Sequence, residues 1–182
     1  MKHAGPLEIE VKLRIPAVEA LAPRLQAAGF ALVHPEDLEV SVLWDRAGGL
    51  QALDSALRLR RYGDLALLTW KGPRVADPRL KVRPERETAV ADPEAMEAIL
   101  RALGFEPVLT MEKRRAIWAR ADLEACLDRT PYGCFLELEG GREAIAAAMA
   151  ELALGPDLIE PRSYAALFAQ EPDRTIPPPP AS

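Results

Sequence analysis

The chain has 182 residues, with 23 Lys plus Arg against 28 Asp plus Glu for a formal net charge of −5, and 49% of it is hydrophobic and 28% charged. This is ordinary globular composition, enough for one domain with a buried core, and it excludes a disordered or fibrous protein for the bulk of the chain. The acidic balance and the 5% of aromatic residues exclude the basic surface of a general nucleic-acid or membrane-surface binder.

Met1 to Pro6 lead into a charged segment with no signal-peptide core, and no apolar run approaches the roughly 20 residues of a membrane span. A cytoplasmic protein is expected. Leu7-Glu8-Ile9-Glu10-Val11-Lys12-Leu13 reads as a strand, with its apolar residues on one face and Glu8, Glu10 and Lys12 on the other. Val18 to Ala28 follows as an amphipathic helix stopped by Gly29-Phe30. His34 beside Pro35 reads as loop, and Gly48-Gly49 as a turn without the helix N-terminus of a phosphate-binding loop.

Four strand-like segments come next, interrupted by one helix. Ala56 to Arg60 puts Arg58 and Arg60 on one face, and Leu68 to Lys71 pairs Thr69 with Lys71. Lys81 to Glu87 aligns Lys81, Arg83, Glu85 and Glu87, although a one-residue slip at Pro84 would exchange Arg83 for Arg86. Asp92-Pro93 opens a helix to Leu103, closed by Gly104-Phe105 as the first helix is by Gly29-Phe30, so the chain has two loosely similar halves. Lys113 to Ile117 then pairs Lys113 with Arg115.

Asp128 precedes the turn Pro131-Tyr132-Gly133, and Phe135 to Glu139 presents Glu137 and Glu139. Helices are predicted from Arg142 to Leu154 and from Arg162 to Gln170. Residues 1–171 read as a single domain, and 172–182 as a proline-rich, disordered tail. Cys126 and Cys134 are too few for a disulfide framework or a zinc site and read as reduced core thiols. His3 and His34 are too few and too poorly placed for histidine-centred catalysis.

The wet faces of these strands are almost purely charged, and the helices need the apolar faces for packing. The charged faces therefore turn inward, and a sheet curved into a closed barrel would enclose them. The inward set holds eight cations (Lys12, Arg58, Arg60, Lys71, Lys81, Arg83, Lys113, Arg115) and seven anions (Glu8, Glu10, Glu85, Glu87, Asp128, Glu137, Glu139). Arginine and lysine match phosphate oxygens, while closely spaced carboxylates suit a hard cation. About two divalent ions would bring such a cavity to roughly +5, suited to a triphosphate. Trp70 and Trp118 point outward to the helices, and Arg61, Arg86 and Arg114 are out of phase with the inward set.

Glu8-Ile9-Glu10-Val11-Lys12 resembles the ExExK signature of the CYTH superfamily, the triphosphate tunnel metalloenzymes. Leu43-Trp44-Asp45, Leu57 to Arg60, Leu68 to Pro73, Arg83 to Glu87, Lys113 to Arg115 with Trp118, Leu127-Asp128, Gly133 to Glu139 and Ser163-Tyr164 follow in the family's order. The resemblance covers about residues 6–170. It implies an α+β fold, an eight-stranded antiparallel β tunnel with a charged interior flanked by helices, binding a triphosphate with Mg²⁺ or Mn²⁺. By resemblance Glu8, Glu10, Asp128, Glu137 and Glu139 hold metal, and Lys12, Arg58, Arg60, Lys71, Arg83 and Arg115 grip phosphate. Lys81 and Lys113 join the phosphate-binding set, and Glu85 and Glu87 line the tunnel. The catalytic set is Glu8, Glu10, Lys12, Arg58, Arg60, Lys71 and Glu139. Asp45 is open between a turn residue and a metal contact. No lysine follows Lys113, so a contact from the final helix would come from Arg162 or Tyr164.

The expected function is metal-dependent hydrolysis of tripolyphosphate, thiamine triphosphate or a nucleoside triphosphate, releasing orthophosphate. The alternatives are a class IV adenylyl cyclase making cyclic AMP and pyrophosphate from ATP, and a polyphosphate-binding module without turnover. The expected partner is the small-molecule triphosphate, with no nucleic acid or membrane, for a monomer or homodimer.

Overall fold

The computed structural model describes residues 7–170 and 175–176. His3 and the tail around Pro177 to Pro180 lie outside them. Among the described residues, eight strands form: β1 (Leu7–Ile15), β2 (Ala31–Asp45), β3 (Ala56–Tyr62), β4 (Leu65–Lys71), β5 (Lys81–Ala89), β6 (Glu106–Arg120), β7 (Leu123–Thr130) and β8 (Gly133–Glu139). They close into an antiparallel barrel in the order β1-β5-β4-β3-β2-β6-β7-β8. The helices are α1 (Val18–Ala27), α2 (Gly49–Ala52), α3 (Pro93–Ala102), α4 (Arg142–Glu151) and α5 (Tyr164–Gln170), with a 3-10 turn at Pro156–Leu158.

Period-two alternation decides which face each helix covers. One compact unit contains Ile9–Leu38 and the chain from Lys113 onward. There Val11, Leu13 and Ile15 of β1, Leu123, Ala125 and Leu127 of β7, and Leu136 and Leu138 of β8 form one buried cluster with Val18, Leu21 and Leu25 of α1 and Ile145 and Ala148 of α4. The other unit contains Glu39–Asp77 and Lys81–Glu112. Its smaller cluster is built on Trp44, Leu59 and Leu100, with Leu57, Leu68, Met96 and Phe105 packed against it. In both, the apolar strand face is spent on helices, which leaves the charged face to the barrel interior.

The two predicted glycine stops are the same structure. Gly29 and Gly104 both take φ +81°, and the amides of Phe30 and Phe105 reach back to the carbonyls of Leu25 and Leu100 at 3.0 and 2.9 Å. Each is a Schellman motif whose phenylalanine returns the chain to the hydrophobic side. The same turn ends α4 at Glu151, short of the expected Leu154: Ala153 takes φ 45° and Leu154 N–H bonds the Met149 carbonyl at 2.8 Å.

Other boundaries move for local reasons. Asp92 caps α3 through the Ala95 amide at 2.9 Å, as expected. The final helix starts at Tyr164, not Arg162, because the Ser163 hydroxyl accepts from Ala166 N–H. Asp45 is the turn residue: its carboxylate accepts from the amides of Arg46, Leu50 and Gln51. Those N–H groups hold its pKa below the usual carboxylate value.

His34 and Pro35, expected in a loop, lie inside β2. Pairing of β2 with β3 starts only at Glu39, so a missing N–H at Pro35 removes no bond to that neighbour. No slip occurs at Pro84: Glu85 and Glu87 register with Lys71 and Thr69 while Arg86 faces Trp70.

The segment before α5 is tied to β1. Glu160 N–H bonds the Lys12 carbonyl at 2.8 Å, Ile159 bridges to Leu13, and the Glu160 carboxylate receives Arg14 at 3.0 Å and Arg162 at 2.6 Å. Hydrogen bonds from Arg162, with further help from Arg14, outweigh burial and lower the Glu160 pKa to about 2.

Two stability measurements follow from these turns and ties. Ala153→Gly removes a left-handed alanine and should stabilise by about 0.5–1 kcal/mol, a rise in Tm of about 1–4 °C by calorimetry. For Glu160, a folded pKa below the unfolded 4.5 means stability present above that value and lost as pH falls toward 2. Glu160→Gln should cost about 1–2 kcal/mol at pH 7, both guanidinium partners being partly in solvent. In denaturant titrations at a series of pH values the gap between the two proteins should stay constant down to about 4.5 and shrink below it.

Candidate functional site

The interior face of β1, β8, β7 and β6 is built in cross-strand rows. Glu10 stands opposite Glu139, which stands opposite Glu124 on β7. One step deeper the row is Lys12, Glu137 and Cys126. The next is Arg14, Phe135, Asp128 and Arg115. Directly opposed residues share a face, so the sequence-predicted Glu10, Lys12, Glu137, Glu139, Asp128 and Arg115 do come together on one face.

Asp128 is the most heavily engaged of them. It is fully buried, and its carboxylate receives Arg115 through Nε at 2.7 Å and Nη2 at 2.6 Å, Lys113 Nζ at 3.2 Å and the Tyr164 hydroxyl at 2.5 Å. Arg115 Nη2 also reaches Glu137 at 2.6 Å. The Lys12 ammonium, only 1% exposed, lies 3.9 Å from Glu137 and 3.8 Å over the Tyr164 ring. The Lys113 ammonium lies 4.4 Å from the same ring. Burial, reinforced by Asp128 and Glu137, raises the Tyr164 pKa well above its usual value, so the hydroxyl stays protonated and donates. Of the two candidates for a contact from the final helix, Tyr164 enters the interior, while Arg162 remains on Glu160.

In the second unit, Lys71 lies between two acids, with Nζ 2.5 Å from Glu8 and 2.8 Å from Glu85. Burial pushes the Glu85 carboxyl up, but the Lys71 ammonium and nearby Arg58 more than offset it, and its pKa ends lowered. Glu87 accepts from Thr69 Oγ1 at 2.6 Å and Arg60 Nη2 at 3.0 Å, with Arg58 at 4.0 Å. Arg60 Nη1 is also 3.8 Å from Glu39. Arg83, predicted on phosphate, directs its guanidinium to the backbone carbonyls of Gly72 at 2.7 Å and Asp54 at 2.5 Å. Lys81 starts β5 in phase with Glu85 and is partly exposed.

The carboxylates fit a hard divalent ion unequally. Like charges directly opposite one another repel, and the row Glu10, Glu139 and Glu124 offers only oxygen donors, as Mg²⁺ or Mn²⁺ require. Glu8 and Glu137 are bound to cations, and four donors surround Asp128. Among the described residues no three acidic, thiol or imidazole groups already converge as a metal cage. The row Glu10, Glu139 and Glu124 thus brings three carboxylates together on one face.

The sequence reading missed Glu39, Ser41 and Glu124. Glu39 and Ser41 belong to a β2 that was recognised only at Leu43 to Asp45, and Glu124 is two residues before Cys126 in the same alternation. Both thiols are free, as expected; Cys134 packs against the apolar cluster, and Cys126 is buried at 4% exposure. The Cys126 thiol is on the charged face, 3.3 Å from Glu124, and burial raises its pKa well above normal. Trp118 packs outward as expected, and the out-of-phase Arg61 binds Glu94 and Glu97 of α3, each at 2.8 Å.

The chain is similar to several known proteins. A protein of Methanocaldococcus jannaschii named "Putative adenylate cyclase" is 32% identical over 134 residues, 73% of this chain and 76% of that protein. A "putative adenylate cyclase" of Vibrio parahaemolyticus has a similar structure, with TM-score 0.79 at 22% identity over 91% of this chain and 99% of that one. A "putative adenylyl cyclase" of Hippeastrum, described as having a dominant triphosphatase activity, has TM-score 0.68 at 22% identity over 90% and 95% of the two chains. No helix among the described residues is long and apolar enough to cross a membrane. With the CYTH domain model matching residues 6–154, the barrel and its rows of interior charge take their place in a known group: the chain belongs to the CYTH domain family.

Proposed function

We propose that the protein is a metal-dependent triphosphatase that cleaves the terminal phosphoanhydride of tripolyphosphate, thiamine triphosphate or a nucleoside triphosphate and releases orthophosphate. The observation that carries this reading is the acidic row Glu10, Glu139 and Glu124 beside Lys12, Arg115 and Lys113 on one strand face. A plain anion trap has no use for opposed carboxylates, and a plain cation site has none for buried lysine and arginine. The activity described for the Hippeastrum protein supports hydrolysis.

Each residue then has a physical task. Arg58, Arg60 and Lys71 in one unit, and Lys12, Lys113 and Arg115 in the other, bind phosphate oxygens. In doing so they exchange a carboxylate partner for a phosphate one, so their charge is never left unpaired. Asp128 holds the Arg115 fork in one plane, and the Tyr164 ring excludes water from the Lys12 and Lys113 ammonium groups. Glu10 and Glu139, with Glu124, would hold Mg²⁺ or Mn²⁺. Such an ion supplies charge to the phosphoryl oxygens and lowers the pKa of attacking water. In this proposal the protein acts in the cytoplasm as a monomer or homodimer on a small molecule, without nucleic acid or membrane.

The second reading is adenylyl cyclisation, favoured by the name of the Methanocaldococcus relative. It needs the same grip on metal and phosphate, so the products decide. Purified protein with tripolyphosphate, thiamine triphosphate and ATP, each with Mg²⁺, Mn²⁺ or chelator, should release orthophosphate only with metal. Cyclic AMP with pyrophosphate from ATP would establish the cyclase instead. Glu10→Ala and Arg60→Lys should each lower turnover at least about a hundredfold with the fold retained by circular dichroism; turnover unchanged in both would remove the basis of the proposal.

A further inference from the structure

Glu39 is a buried acid that the ExExK motif does not include and the proposed reaction does not use. It is 1% exposed, on the interior face of β2, two residues before Ser41, which registers with Arg60. A carboxylate in that position is costly unless its charge is answered. Ser41 Oγ donates to Oε1 at 3.0 Å, and Oε2 faces Arg60 Nη1 at 3.8 Å. The opposite edge of the same guanidinium donates from Nη2 to Glu87 at 3.0 Å.

The two acids flanking Arg60 differ in access. Side-chain exposure rises from 2% at Glu39 to 14% at Arg60 and 30% at Glu87. An anion arriving from solvent therefore competes with Glu87, which keeps the Thr69 hydroxyl at 2.6 Å when Arg60 leaves it. Glu39 lies on the closed side, out of that competition.

On the reading that Arg60 binds substrate phosphate, we infer that Glu39, oriented by Ser41, is a positioning residue that keeps the Arg60 guanidinium aimed at the ligand while Glu87 is exchanged for phosphate. Without Glu39 the guanidinium closes onto Glu87, and phosphate has to break that pair. The sign of the effect separates this role from a background charge. Removing one negative charge near an anion site tightens anion binding by Coulomb attraction alone, whereas loss of positioning weakens it.

The test is calorimetric titration with tripolyphosphate in chelator, alongside steady-state kinetics with metal and a thermal melt. Glu39→Gln should weaken tripolyphosphate binding about tenfold and raise KM about as much, with kcat within about twofold. Ser41→Ala, which keeps the charge and removes its orienting hydrogen bond, should weaken binding about threefold. Binding by Glu39→Gln as tight as, or tighter than, that of the unaltered protein overturns the inference. If that variant does not fold, unchanged affinity in Ser41→Ala does so. No tripolyphosphate binding by the unaltered protein in chelator, together with no turnover of it with metal, overturns the triphosphate reading itself.

Discussion

A charge removed from water has to be answered by another charge or by hydrogen bonds, and the barrel interior is organised by that requirement. Lys71 is answered by Glu8 and Glu85, Arg115 by Asp128 and Glu137, and Arg60 by Glu39 and Glu87. Such pairs contribute little net stability, because desolvation consumes most of the Coulomb gain. What they supply is a set of cations already dehydrated and held in fixed directions.

The stability comes from the other side of the same strands. On β1 and β8 the inward charges alternate with apolar residues that point outward, and across the sheet α1, α3 and α4 cover the apolar faces. The division also fixes register. A one-residue slip on β1 would place Glu10 and Lys12 among Leu21 and Leu25 and turn Val11 and Leu13 toward the acids. Function and folding therefore constrain the same alternation, which is why the charged pattern is so strict.

That strictness made much of the fold legible in the sequence. Alternation marked the cores of most strands, and the Gly-Phe stops and Asp92-Pro93 marked both ends of α3 and the end of α1. The count of eight strands and the individual site roles came from the resemblance to the CYTH superfamily, since short alternating runs do not say how a sheet closes. What was missed has local causes. His34-Pro35-Glu36-Asp37 looks like loop and hid the first half of β2, and Glu39 with it. Arg83 has the right phase, but its reach to the Gly72 and Asp54 carbonyls depends on loops that alternation does not place. The four donors around Asp128, expected by resemblance to hold metal, come from β6 and α5, and alternation along one strand does not bring those elements to β7.

The same Pro35 that obscured β2 also bears on how the protein behaves at high concentration. β2 extends from Ala31 to Leu38 before β3 begins to pair with it, and Leu32 and Val33 there are about half exposed. Exposed apolar strand residues are the kind of surface on which further chains can add. Pro35 has no amide to offer a further strand, and the Glu36 carboxylate beside it is held by Arg129 at 2.9 Å. The residues that look least like a strand thus make this part of β2 a poor template for a second chain.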